Sequence, residues 1–179
     1  MSTPKPPIPA KFLVGVFMKD QKIFHEIFSL LEEKFGNIDI VSPWFNFDYT
    51  EYYEKEMGKD LYRRMIVFKD LIGQDDLAEI KKITNLIEKE YSEHGKRKIN
   101  IDPGFIVPSR FVLATGKDYA HRIYIGENIY ADLTLMFKNG DFHDLDWTYP
   151  DYSSRQMKDF LLKARSKYLL DLAESAESE

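Results

Sequence analysis

The segment Leu61-Tyr62-Arg63-Arg64-Met65-Ile66-Val67-Phe68 decides the fold. Leu61, Arg63, Met65 and Val67 alternate with Tyr62, Arg64, Ile66 and Phe68, the period of two that a strand requires. Upstream, Lys11 to Met18 is a compact apolar run suited to a buried strand. Asp20 stands at a helix N-cap, and Gln21 to Phe35 carries apolar residues at helical spacing before Gly36 stops it. Ile38 to Phe47 returns to strand character, and Pro43 within it marks an edge or a bulge. Only a polar, aromatic connection, Thr50 to Gly58, lies between that strand and Leu61, so two strands follow each other with no long helix between them.

Downstream, Leu77, Ile80, Ile83, Ile87 and Tyr91 form one helical stripe within Gln74 to Tyr91. Gly95 ends it, and Arg97 to Phe105 is a fourth strand. The order β-α-β-β-α-β predicts an α+β protein, a ferredoxin-like sandwich with two helices on one face of an antiparallel sheet. Three further β segments follow at 109–115, 121–125 and 129–137. Lys138-Asn139-Gly140-Asp141 is a type I′ hairpin signal leading into Phe142 to Thr148. Ser153 or Ser154 caps a last helix with an apolar face at Met157, Phe160, Leu161, Ala164, Tyr168 and Leu172. The expected organisation is a flexible proline-rich tail at 1–10, one domain at 11–172 and an acidic tail at 173–179. Within the domain, 11–107 is the βαββαβ part, 108–152 a C-terminal antiparallel β extension and 153–172 the final helix.

Bulk properties narrow the function classes. At 179 residues, folding hides roughly 70% of the unfolded surface, enough for a core without covalent staples. The chain has no cysteine, which removes disulfides, thiolate catalysis and Cys-ligated metal sites. A net charge of −5 argues against nucleic acid as a partner. No apolar run has the length or flanks of a membrane span or signal segment, so no membrane partner is expected and the expected location is the cytoplasm.

The densest polar chemistry lies between Asn100 and Asp151, among strand ends and turns, where scaffolds present functional groups. Four islands stand out: Thr50-Glu51-Tyr52-Tyr53-Glu54-Lys55-Glu56-Met57-Gly58, Asn100-Ile101-Asp102-Pro103-Gly104, His121-Arg122-Ile123-Tyr124 and Trp147-Thr148-Tyr149-Pro150-Asp151-Tyr152. In order, they resemble an uncharacterised prokaryotic family known as a domain of unknown function (4416), whose members often carry the label GTP-binding protein. The resemblance implies a single compact domain from bacteria or archaea and brings no assigned reaction, substrate, cofactor or catalytic residue.

The GTP label fails on its mechanics. A P-loop needs G-x-x-x-x-G-K-[ST], whose backbone N–H groups wrap phosphates and whose hydroxyl holds Mg²⁺. Here Gly116-Lys117 is followed by Asp118, and Phe111 stands where the first glycine belongs. Asp70-Leu71-Ile72-Gly73 matches D-x-x-G without the loop it should serve, and no N-K-x-D guanine reader exists.

The remaining candidates carry both structural and functional readings. Asp102-Pro103-Gly104 reads as a type II turn ending a strand, with Asp102 and His121 as candidates for general acid–base work. If residues 126–128 form a hairpin loop, Arg122 faces Asp132 across the ladder and Tyr124 faces Tyr130. Arg122 is then either a cross-strand ion pair or a grip for phosphate or carboxylate, and strand alternation sends His121 to the opposite face. Lys117 is a solvated turn lysine or, with Thr115 and Gly116, part of an anion-binding backbone nest. Tyr53 and Glu54, with the neighbouring tyrosines, suit a lid or recognition surface. Asp144 and Asp146 share a strand face and are the candidates for a divalent cation. The leading expectation is a site for a small anionic molecule, bearing phosphate or carboxylate, at the turns of the β extension. The competing expectation is an interaction or homo-oligomerisation module using an aromatic sheet face.

Overall fold

The structure, a computed structural model, describes residues 2–177; Met1, Ser178 and Glu179, which belong to the tails read from the sequence, lie outside the described residues. It is a mixed α+β protein built on a large antiparallel sheet. In chain order the elements are β1 (Ala10–Met18), α1 (Phe24–Phe35), β2 (Ile38–Val41), β3 (Phe45–Phe47), α2 (Glu54–Met57), β4 (Leu61–Ile72), α3 (Leu77–Glu90), the two-residue strands β5 (Ser92–Glu93) and β6 (Lys96–Arg97), β7 (Ile99–Val107), β8 (Arg110–Thr115), β9 (Arg122–Gly126), β10 (Ile129–Lys138), β11 (Asp141–Asp144), α4 (Pro150–Ser153) and α5 (Arg155–Glu177). The main sheet runs β11-β10-β8-β7-β1-β4-β2, with β3 also on β4 and β9 also on β10. Its first four long segments thus lie in the order β7-β1-β4-β2, and the later hairpins extend the β7 edge.

Alternation along β1 and β4 sorts the core. Phe12, Val14, Val16 and Met18, with Ile66 and Phe68, pack against Phe24, Ile27 and Leu31 of α1 and Ile80 and Ile87 of α3. Leu13, Met65 and Val67 face the other way, onto Met157, Phe160, Leu161, Ala164 and Tyr168 of α5. Each fully buried Val, Leu, Ile, Phe or Met among them contributes roughly 1.5–3 kcal/mol of transfer free energy. Helices thus pack on both faces of the β1–β4 part of the sheet, while Ile123 and Tyr124 of β9 are exposed.

Several local readings are revised. Asp102-Pro103-Gly104 is not a turn but the middle of β7, paired with Gly15, Val14 and Leu13 of β1. Pro and Gly suit a turn by local chemistry, yet a proline fits a strand wherever its missing N–H faces no partner. Gly104 is needed here, because a Cβ would drive into the Val112 carbonyl of β8. Gly95 does not stop α3, which ends at Glu90; His94 (φ 52°) and Gly95 (φ 75°) form the tip of the β5–β6 hairpin. The edge reading of Pro43 holds, although the segment is two strands, β2 and β3, both on the outer edge of β4. The final helix runs on to Glu177, through much of the stretch read as an acidic tail. At the other end, residues 2–9 lack regular structure, but the Ile8 and Pro9 carbonyls accept hydrogen bonds from Gln74 (3.0 Å) and Tyr168 (2.6 Å).

Candidate functional site

The sheet splits next to Gly104. Strand β7 pairs with β8 only from Gly104 to Val107, while toward its start it stays paired with β1 as far as Met18. Beyond Leu113, β8 remains paired with β10 instead. The freed edge of β7 is served by helix α3: Ile101 N–H donates to Glu88 Oε1 (2.7 Å) and Ile101 O accepts from Lys81 Nζ (2.9 Å). Pro103 lies two residues on and turns its nitrogen toward this same unpaired side, where no donor is needed. A cavity of about 780 Å³ fills the split.

Residues from seven stretches of the chain, 47–53, 63, 81–88, 97–102, 113–122, 132 and 147–152, line this cavity. The floor is Arg63, the lone cation among the inward-facing positions of the alternating β4 segment. Its guanidinium lies 4.6–5.0 Å from the rings of Phe17, Phe47 and Tyr152. Nη1 donates to Asp151 and Nη2 to Asp102 Oδ2 (3.1 Å). Burial opposes charge on Arg63, and Asp151 and Asp102 more than offset it, so its pKa is raised. The Asp151 carboxyl is pushed up from the usual range by burial, against the pull of Arg63 and with the help of the Asp102 charge. Asn100 Nδ2 donates to Asp102 Oδ1 (2.8 Å), and Arg97 ties Asn100 (2.8 Å) and Glu88 (2.8 Å) to a double contact on Glu56 (2.7 and 2.9 Å). Burial also raises the Glu88 carboxyl, whereas the Arg97 hydrogen bond lowers that of Glu56. Two floor atoms, Arg63 Nε and the Tyr152 hydroxyl, have no hydrogen-bond partner among the described residues.

The opposite wall comes from the turn after β8. Arg122 and Asp132 pair across the β9–β10 ladder, as Tyr124 and Tyr130 do. Arg122 Nε donates to Asp132 Oδ2 (2.8 Å), Nη1 to Lys117 O (3.0 Å) and Nη2 to the Tyr149 hydroxyl (3.1 Å). Both members of the pair are buried, their side chains 5% and 7% exposed. His121 does not point away from Arg122: its Nε2 lies 3.3 Å from the same Asp132 oxygen, and its ring stacks on Trp147 at 4.8 Å. The alternation rule fails because His121 lies in the turn, one residue before β9 begins. No residue from Thr115 to Lys117 has positive φ, so the αR–αL nest is not formed, and Lys117 N–H donates to Thr115 Oγ1 (3.2 Å).

The roof is the segment around Tyr49, Tyr52 and Tyr53. Lys117 Nζ meets it at the rim, 3.1 Å from the Tyr52 hydroxyl and 4.3 Å from its ring centre. Tyr53 packs edge-on to Phe17 (4.8 Å), and burial, then the Asp102 charge, raises its phenol pKa. Asp102, Lys117, His121, Arg122 and Tyr53 therefore border one cavity. Glu54 lies outside it, on a neighbouring surface cleft of about 540 Å³, 3.7 Å from Lys59. Asp144 pairs with Lys158 (2.8 Å), Asp146 lies in the loop beyond β11, and neither borders the cavity. Among the described residues no group of three or more His, Asp or Glu is placed to hold a metal ion.

Sequence reasoning missed Arg63, Asp151, Trp147 and Tyr149. Arg63 carried a signal, a single cation among Leu61, Met65 and Val67 on a face that must be buried. Asp151 and the two aromatics lay inside a quoted island, but nothing local says that this loop folds back onto β4 and β9.

No helix among the described residues is long and apolar enough to cross a membrane. No curated protein and no solved structure matches the chain. A family model does, over residues 8–168, and the chain belongs to the family described as a domain of unknown function (DUF4416).

Proposed function

We propose that the cavity between the splayed strands β7 and β8 binds a small organic molecule bearing a carboxylate or phosphate, with Lys117 as its anion contact. One observation carries the reading. Of the cations bordering the cavity, Lys117 alone has no carboxylate within 4.0 Å among the described residues, whereas Arg63, Lys81, Arg97 and Arg122 each have at least one. A cavity of this size, aromatic-walled and with a few convergent polar groups, has the character of a small-molecule site. Arg122 is then a positioning residue, holding the Lys117 carbonyl and the Tyr149 hydroxyl in place, and its buried pairing with Asp132 argues against direct contact with the ligand. We also read the β7-β1-β4-β2 core with α1 and α3 on one face as a ferredoxin-like sandwich, its outer edge extended within the same domain; strand order supports this, and the fold alone assigns no function.

The test uses benzoate and inorganic phosphate as probes in thermal unfolding. Wild type should be stabilised by at least one of them, by about 2.7 kcal/mol at ~100-fold over Kd. Lys117→Met should unfold at the wild-type temperature without probe, because the lysine is exposed, and should lose most of the response, since a charge-assisted bond contributes roughly 1.5–3 kcal/mol. An equal response in the variant would overturn the reading.

A further inference from the structure

We propose that the ligand of this cavity is a zwitterion, with its cationic nitrogen on Asp102 and its anionic group on Lys117. The inference rests on the binding reading above and adds a second charge to that ligand.

The charges around the cavity do not cancel locally. Arg122 answers Asp132, and Arg97 with Lys81 answers Glu56 and Glu88. Arg63, by contrast, is the single cation shared by two carboxylates, Asp102 and Asp151. The floor is therefore short of one positive charge, while the rim carries one in excess at Lys117. Burial, with the help of the Asp102 charge, holds the Asp151 carboxyl above its ordinary range against the pull of Arg63.

Of the two floor carboxylates, Asp102 is the reachable one. Its side chain is 25% exposed against 8% for Asp151. Among the described residues it accepts from Asn100 and Arg63 only, so about half of its roughly four acceptor sites stay open. The floor is also incompletely satisfied, because Arg63 Nε and the Tyr152 hydroxyl are buried without hydrogen-bond partners among the described residues. A ligand with one charge leaves the charge at the other end of the cavity unanswered, whereas a zwitterion meets an opposite charge at both. A neutral hydroxyl at Asp102 would hydrogen-bond without supplying the missing charge. Aromatic walls between the two ends suit a flat or apolar body joining the two charged groups.

The experiment measures calorimetric affinities for para-aminomethylbenzoate, the isosteric para-hydroxymethylbenzoate, benzoate and benzylamine, with ε-aminocaproate and caproate as a flexible pair. Wild type should bind an amino acid probe at least about tenfold more tightly than its partner lacking the cation. Asp102→Asn should remove that preference, because the amide still accepts from Arg63 but presents no charge to the ligand nitrogen. The comparison of aminomethyl with hydroxymethyl needs no variant, so it decides the matter even if Asp102→Asn fails to fold. Equal binding of the amino and hydroxyl probes overturns the zwitterion and leaves the anion reading standing. Binding of benzylamine as tight as that of the amino acid, with none of benzoate, overturns the anion reading and the zwitterion with it. No binding of any probe at about 10 mM overturns both.

Discussion

Arg122 shows how much a single residue's meaning depends on burial. Its partner was legible: the turn residues at 126–128 set the hairpin register, and that register puts Arg122 opposite Asp132. An exposed cross-strand pair would contribute only ~0–1 kcal/mol. The pair is buried instead, because Tyr149 and the Lys117 carbonyl close over it, and no pattern within 121–132 announces that. Removing one member would leave the other as an uncompensated buried charge. Arg122→Met should therefore destabilise the protein by roughly 3–5 kcal/mol in urea unfolding. A loss below about 1 kcal/mol would mean that the loop opens in solution and the pair is solvated.

At the scale of elements, α5 is held to the sheet by a charged staple as well as by apolar contact. Lys11 lies in β1 with its side chain fully buried, and its Nζ donates to Asp39 Oδ2 (2.9 Å), Lys69 O (3.1 Å) and Asp171 Oδ2 (2.7 Å). Lys167 adds a second contact to Asp171 from the preceding turn of α5. Burial opposes the Asp171 charge, but the hydrogen bonds from Lys11 and Lys167 win, and its pKa is lowered. A lowered folded pKa means stability that is present above the unfolded value, about 3.9, and is lost as pH falls through the folded value. Asp151 and Glu88, both raised, act in the opposite sense: their penalty applies above their folded pKa and lifts as pH falls toward the unfolded one. Asp171→Asn should thus lower stability near neutral pH and flatten its decline below about pH 4. Thermal unfolding of both proteins across that range checks the sign, and parallel curves would show that Asp171 carries no linkage. The apolar stripe of α5 was readable from its spacing. The staple was not, since Lys11 and Asp171 are 160 residues apart.

For the whole molecule, sequence periodicity identified the long helices and most strands because each reports its own burial. It missed the split between β7 and β8, which depends on which strand each residue fails to pair with. Asp102-Pro103-Gly104 satisfies the chemistry of a turn and of a strand leaving its neighbour, and only the long-range register separates them. The same geometry bears on nucleotide binding. A phosphate-wrapping P-loop must connect a strand to a helix whose N-terminus faces the phosphates. Gly116-Lys117 follows β8 but leads through a turn into β9, so neither the loop nor the helix is present there. GTP with Mg²⁺ should therefore leave the melting temperature unchanged. A specific site occupied at ~100-fold over Kd would add about 2.7 kcal/mol, far above the resolution of a thermal scan. A rise with GTP and none with ATP would require a guanine-reading site outside the P-loop mechanism, and the cavity beside Lys117 would be the first place to seek it. Repeating the scan on Lys117→Met would then show whether that nucleotide occupies the cavity, because only a ligand bound there should lose its effect when the lysine is removed.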